Sequence, residues 1–122
     1  MSDRVNIWEF RDTAGHTAGT DLIGFHVEAT DGAIGKIDKL SEEVGAQHLV
    51  VDTGPWILGR RVLLPAGTVI RIEIGEQKVY VDRSKDDIRN GPGLDDGAAD
   101  VSADVRDRYG LYYDPFYGGR IF

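Results

Sequence analysis

A chain of 122 residues, 41% apolar and 29% charged, is sized for one domain with its own core. It contains no cysteine, which excludes disulfides and thiolate-held metals, and its net charge of −7 argues against a phosphate backbone as a direct partner. The densest basic spot, Arg60-Arg61, is too small to reverse that, and no apolar run approaches the ~18 residues of a membrane helix. The start, Met1-Ser2-Asp3-Arg4, lacks the charged-then-apolar pattern of an export signal, so a cytoplasmic protein without membrane insertion is expected.

Residues 1–21 read as an N-terminal arm. Val5, Ile7, Trp8 and Phe10 are followed by a turn-rich stretch, and Trp8 or Phe10 is expected to tuck against the domain. From Gly24 to Ala29 the pattern alternates: Phe25 and Val27 face one way, His26 and Glu28 the other, as in a half-buried strand. Asp31-Gly32 signals a hairpin turn. The returning strand, Ala33 to Leu40, places Ile34, Ile37 and Leu40 out of phase around Gly35, which predicts a bulge.

Gln47 to Asp52 carries the β-branched run of a strand buried on both sides. Arg61 to Leu64 is a short strand stopped by Pro65. Ile70, Ile72 and Ile74 alternate with Arg71 and Glu73, which predicts an amphipathic strand, and Val79 and Val81 flank Tyr80 in a sixth. Six short strands with frequent turns give an all-β barrel or sandwich.

Ser84 and Asp87 form a capping pair for a short helix ended by Gly91-Pro92. Residues 93–104 hold four Asp and read as an acidic linker. Val105, Arg108, Tyr109 and Tyr112 then share one side of a predicted helix over 104–113, before the aromatic stretch Tyr112 to Gly119.

Taken in order, Leu22-Ile23-Gly24-Phe25-His26-Val27, Asp31-Gly32-Ala33-Ile34-Gly35-Lys36-Ile37, Leu49-Val50-Val51-Asp52, Arg61-Val62-Leu63-Leu64-Pro65 and Lys78-Val79-Tyr80-Val81-Asp82 resemble the PRC-barrel family. The family includes the cytoplasmic domain of the photosynthetic reaction-centre H subunit and the C-terminal domain of the ribosome maturation factor RimM. The resemblance covers residues 22 to 92 and is nearest to stand-alone bacterial members. It implies a small six-stranded barrel that docks other macromolecules, with 93–122 as linker and aromatic tail. The chain is expected to differ from these two members, without the transmembrane helix of the H subunit and the N-terminal domain of RimM.

No histidine pair has the helical spacing of a zinc motif, and the glycines fit neither a dinucleotide fingerprint nor a phosphate loop. The carboxylates Glu28, Asp31, Asp38, Glu42, Glu43 and Asp52 read as a solvated face. The expectation is therefore a non-enzymatic interaction or scaffold module, with no catalytic residue, metal or cofactor. A role beside membrane electron-transfer complexes follows from analogy with the H subunit. The competing class is a small metal protein or enzyme built on His26 and His48, if they sit on neighbouring strands.

Trp56, Leu58, Arg60 and Arg61 are the first partner-binding candidates, because Trp and Arg are enriched at binding hot spots; the alternative is that Trp56 plugs one end of the barrel. Tyr109, Tyr112, Tyr113, Phe116 and Tyr117 are the second group. Their apolar area and the reach of the linker favour docking on another copy, a homodimer, over packing on their own barrel.

Overall fold

The alternation of Phe25 and Val27 with His26 and Glu28 is realised as strand β1 (His26–Ala29), with Phe25 and Val27 buried and His26 exposed. In the computed structural model, which describes residues 6–54, 61–94 and 102–118, five more strands follow: β2 (Gly32–Ser41), β3 (His48–Asp52), β4 (Arg61–Pro65), β5 (Val69–Glu73) and β6 (Lys78–Val81). They form one mixed sheet in the order β4-β3-β2-β1-β6-β5, antiparallel throughout except for the parallel pair β1–β6.

The β1–β2 turn lies one residue earlier than the Asp-Gly signal suggests. Ala29 pairs with Gly32, so Thr30 and Asp31 are the loop and Gly32 opens β2. Asp31 is fixed there because its Oδ1 accepts the Lys85 amide at 2.8 Å. The expected bulge is present. Val27 pairs with Gly35 and Glu28 with Ala33, which leaves Ile34 as an extra residue and lets Ile34 and Ile37 both enter the core three positions apart. A second irregularity leaves Asp38 unpaired between Ile37 and Lys39.

The alternation read into Ile70, Ile72 and Ile74 does not hold. Val69 pairs with Val81 and Arg71 with Tyr80, so Ile70 is extra at a bulge and exposed. Ile74 falls in the turn after β5, and the inward positions belong to Val69 and Ile72.

The sheet curls around one core but does not close into the expected barrel: its edges, β4 and β5, are joined by the turn Ala66–Thr68 yet do not pair. The β4 edge has other partners. Arg61 O accepts the Leu94 amide (3.1 Å), the Leu63 amide donates to the Tyr109 hydroxyl (3.3 Å), and Pro65, which has no N–H, receives the Thr68 hydroxyl on its carbonyl (2.8 Å). The β5 edge is approached by the 3-10 turn Asp12–Ala14.

The N-terminal arm seals one end of the core. Ile7 and Trp8 carbonyls accept the Gly67 and Gln47 amides at 2.8 and 3.0 Å. Ile7 is buried, and Trp8 and Phe10 are half-buried against the core.

Helix α1 (Lys85–Arg89) carries the full capping box: Ser84 Oγ accepts the Asp87 amide and the Asp87 carboxylate accepts the Ser84 amide. Helix α2 (Ala103–Tyr113), capped by Ser102, buries Tyr109 and Tyr113 and half-buries Val105 and Tyr112. Arg108 is exposed rather than inward, because the apolar stripe centres on Tyr109 and leaves Arg108 on its flank. Residues 102–118 of the tail thus pack on their own sheet, the arrangement the sequence reading disfavoured: covering β4 gives Tyr109 and Tyr113 complete burial, 0% and 1% exposed, within one chain.

Candidate functional site

At one end of β1, β2 and β3 an open cleft of about 380 Å³ is lined by His26, Ala33, Ile34, Gly35, Lys36, Asp52, Thr53 and Gly54. Local chemistry explains its shape. Beside the Ile34 bulge β2 runs close against β3: a Cβ on Gly35 would lie 2.1 Å from the Asp52 carbonyl oxygen, so only glycine permits the approach. The Asp52 side chain then folds back to accept the Gly54 amide at 2.9 Å, which turns the chain away at the end of β3. The wall is mostly apolar, made of small side chains and backbone, with His26, Lys36 and Asp52 at its edge.

The two histidines of the metal or enzyme reading are not neighbours. His26 is on β1 opposite Lys36, His48 is on β3 opposite Ser41, and β2 separates them. His48 is buried, donates from Nδ1 to the Ala46 carbonyl at 2.8 Å and meets the Trp8 ring edge-on. Burial lowers its pKa from the usual imidazole value, outweighing the hydrogen bond to Ala46. His16 stacks on Phe10 with ring centres 3.9 Å apart, and its Nε2 approaches Glu42 Oε1 at 3.2 Å without hydrogen-bond geometry. Among the described residues no three His, Asp or Glu side chains are grouped to hold a metal ion.

The expected solvated carboxylates are exposed or half-exposed, and several serve structure: Asp31 holds Lys85, Asp38 pairs with Arg61 at 3.1 Å, and Glu42 accepts the Gly19 amide.

Of the partner-binding candidates, Trp56, Leu58 and Arg60 lie outside the described residues. Arg61 opens β4 and is held by Asp38. Tyr109 and Tyr113 are core residues, with burial first among the causes that push the Tyr113 hydroxyl well above the usual tyrosine range. Tyr112 donates to the Asp87 carbonyl at 2.5 Å and Tyr117 to Asp82 Oδ1 at 2.5 Å; burial, then for Tyr117 the bond to Asp82, raises both pKa values. Phe116 stays exposed, with the Arg83 guanidinium 4.4 Å from its ring centre.

Sequence reasoning missed the clasp around Asp82, in which Arg11 (2.6 Å), Tyr117 and the neighbouring Arg83 meet. These residues are more than 70 positions apart at the extremes, and no local pattern connects them. It also missed the cleft, although the bulge at Gly35 was its visible trace.

No family model and no curated protein matches this chain. Among the described residues no helix is long and apolar enough to cross a membrane.

Proposed function

We propose that the chain is a non-enzymatic protein-docking module of the PRC-barrel type and that the cleft at the ends of β1–β3 is its docking surface. The observation that carries this is the chemistry of the cleft wall. Apolar side chains and backbone with charge only at the rim suit one apolar side chain of a partner, anchored by polar contacts around it. The family reading rests on the order of the sequence motifs, five segments that lie at β1, β2, β3, β4 and β6. Because Tyr109 and Tyr113 are used within the chain, they are withdrawn from any contact surface of the tail, and the cleft is the docking surface favoured.

Ala33 is exposed on β2 and lines the cleft, whereas Val44 is exposed far from it in the β2–β3 connection. Ala33→Trp fills the cleft and Val44→Trp is its control. Affinity purification from the source cell should recover the same co-eluting proteins with wild type and Val44→Trp and lose them with Ala33→Trp. Equal recovery with both variants removes the cleft from the function. Light scattering on the three proteins reads a second copy as the occupant, through a dimer that only Ala33→Trp dissociates.

A further inference from the structure

The register of the sheet places six side chains in one line across all six strands. Arg61 pairs with Asp52, Asp52 with Lys36, Lys36 with His26, His26 with Lys78, and Lys78 with Glu73. Directly paired residues project from the same face, and all six are exposed or half-exposed, so this is the outer face.

The two ends of the line are already satisfied. Arg61 is held by Asp38, Asp52 Oδ1 takes the Gly54 amide, and Glu73 pairs with Arg71 at 3.1 Å. The middle is different. Lys36, His26 and Lys78 stand on the adjacent strands β2, β1 and β6, and no ion pair among the described residues involves Lys36 or Lys78. Neighbouring strands are about 4.8 Å apart, so the three groups span roughly 10 Å, close to one Debye length at moderate salt. Asp52 and Glu73 stand directly opposite Lys36 and Lys78 but are turned to the Gly54 amide and to Arg71, and Glu28 is the nearest acid along β1. In a chain of net charge −7, two lysines without an ion pair on either side of His26 are a local concentration of donors for a carboxylate. Two members of this row, His26 and Lys36, also line the apolar cleft, together with Asp52.

We propose that the cleft and this row together recognise an acidic protein segment that carries one apolar anchor side chain. The anchor enters between Ile34 and Thr53, while carboxylates on its flanks meet Lys36, His26 and Lys78. This rests on the docking reading and names the chemistry of the partner. Two lysines and a histidine in a straight row match carboxylates repeated along an extended segment, and the apolar wall discriminates such a segment from a bare anion.

The test is an amide NMR titration of the full chain at about 50 mM salt, where surface charges are weakly screened. The probe is a blocked pentapeptide with a central leucine between two Glu-Asp pairs. Its controls are the matching Gln-Asn peptide and inorganic phosphate. Expected are shifts at residues 26, 34–36, 53–54 and 78 with the acidic peptide. The affinity should fall about tenfold or more in the double variant Lys36→Glu, Lys78→Glu, since each exposed pair is worth up to about 1 kcal/mol. A melting temperature unchanged from wild type shows that this variant is folded. The proposal is overturned by absence of shifts, by equal binding of the Gln-Asn peptide, by unchanged affinity of the double variant, or by phosphate alone giving the same shifts at the same concentration. Loss of the native partners with Ala33→Trp but their full recovery with the double variant keeps the docking reading and removes the acidic partner.

Discussion

Replacing Gly35 by alanine adds one carbon where the backbones of β2 and β3 approach closely. That carbon would sit 2.1 Å from the Asp52 carbonyl oxygen and 2.9 Å from both the Asp52 carbonyl carbon and Thr53 Cα. All three are backbone atoms, so no side chain can rotate away, and β2 and β3 must separate. The φ of +151° adds conformational strain of about 1–2 kcal/mol for any L side chain. Opening the neighbouring ladder loses two or so hydrogen bonds at about 1 kcal/mol each, and more if the freed groups stay buried. The expected total is about 3–5 kcal/mol, a large share of the 5–15 kcal/mol typical of a domain.

Two other glycines calibrate the argument. At Gly32, φ is +141°, but a Cβ meets only the flexible end of Lys85 at 3.3 Å; at Gly24, φ is +88° with nothing within 4 Å. Alanine at either should cost about 1 kcal/mol from strain alone. Urea denaturation at 25 °C of the three variants gives the ordering directly. A Gly35→Ala protein within about 1 kcal/mol of wild type, or no worse than Gly24→Ala, refutes the close approach and with it the shape of the cleft.

Tyr109→Phe should cost about 1–2 kcal/mol, because it strips the acceptor from the buried Leu63 amide, and hydrogen exchange at Leu63 should accelerate more than at Leu64. The folded pKa of Tyr112, Tyr113 and Tyr117 is raised, so their contribution is complete below pH 10 and is lost as pH rises through the folded values. Absorbance at the phenolate band should therefore rise for these three together with alkaline unfolding, and early ionisation of Tyr113 in native protein would contradict its burial. His48 has the opposite sense: its folded pKa is lowered, so its contribution is present above about pH 6.5 and is lost as pH falls through the folded value. An imidazole NMR titration should give His48 a midpoint below 6.5, and a midpoint above it would contradict the burial.

The elements that the sequence disclosed are those with a local cause. Phe25 and Val27 needed only period two, Ser84 with Asp87 needed only the capping geometry, and the bulge showed itself in the spacing of Ile34, Gly35 and Ile37. What stayed hidden depends on pairing across distance. Ile70 looked inward because the extra residue after Val69 is not visible in a local alternation. The placement of the tail depended on whether the β4 edge had other partners, and Leu63, with its amide turned to Tyr109, answers that only in three dimensions. The line from Arg61 to Glu73 joins residues from six separate strands, and the bulges at Ile34, Asp38 and Ile70 shift any register guessed from the turns alone. His26 and His48 were separated by a strand for the same reason.

The docking account is tested most directly by a photo-crosslinking amino acid placed at Ala33 in the cleft, with a second protein carrying it at Val44. After irradiation in the source cell's extract, the account predicts a discrete adduct from position 33 that is absent from position 44 and suppressed by the acidic pentapeptide. No adduct from position 33, or the same adduct from both positions, contradicts it.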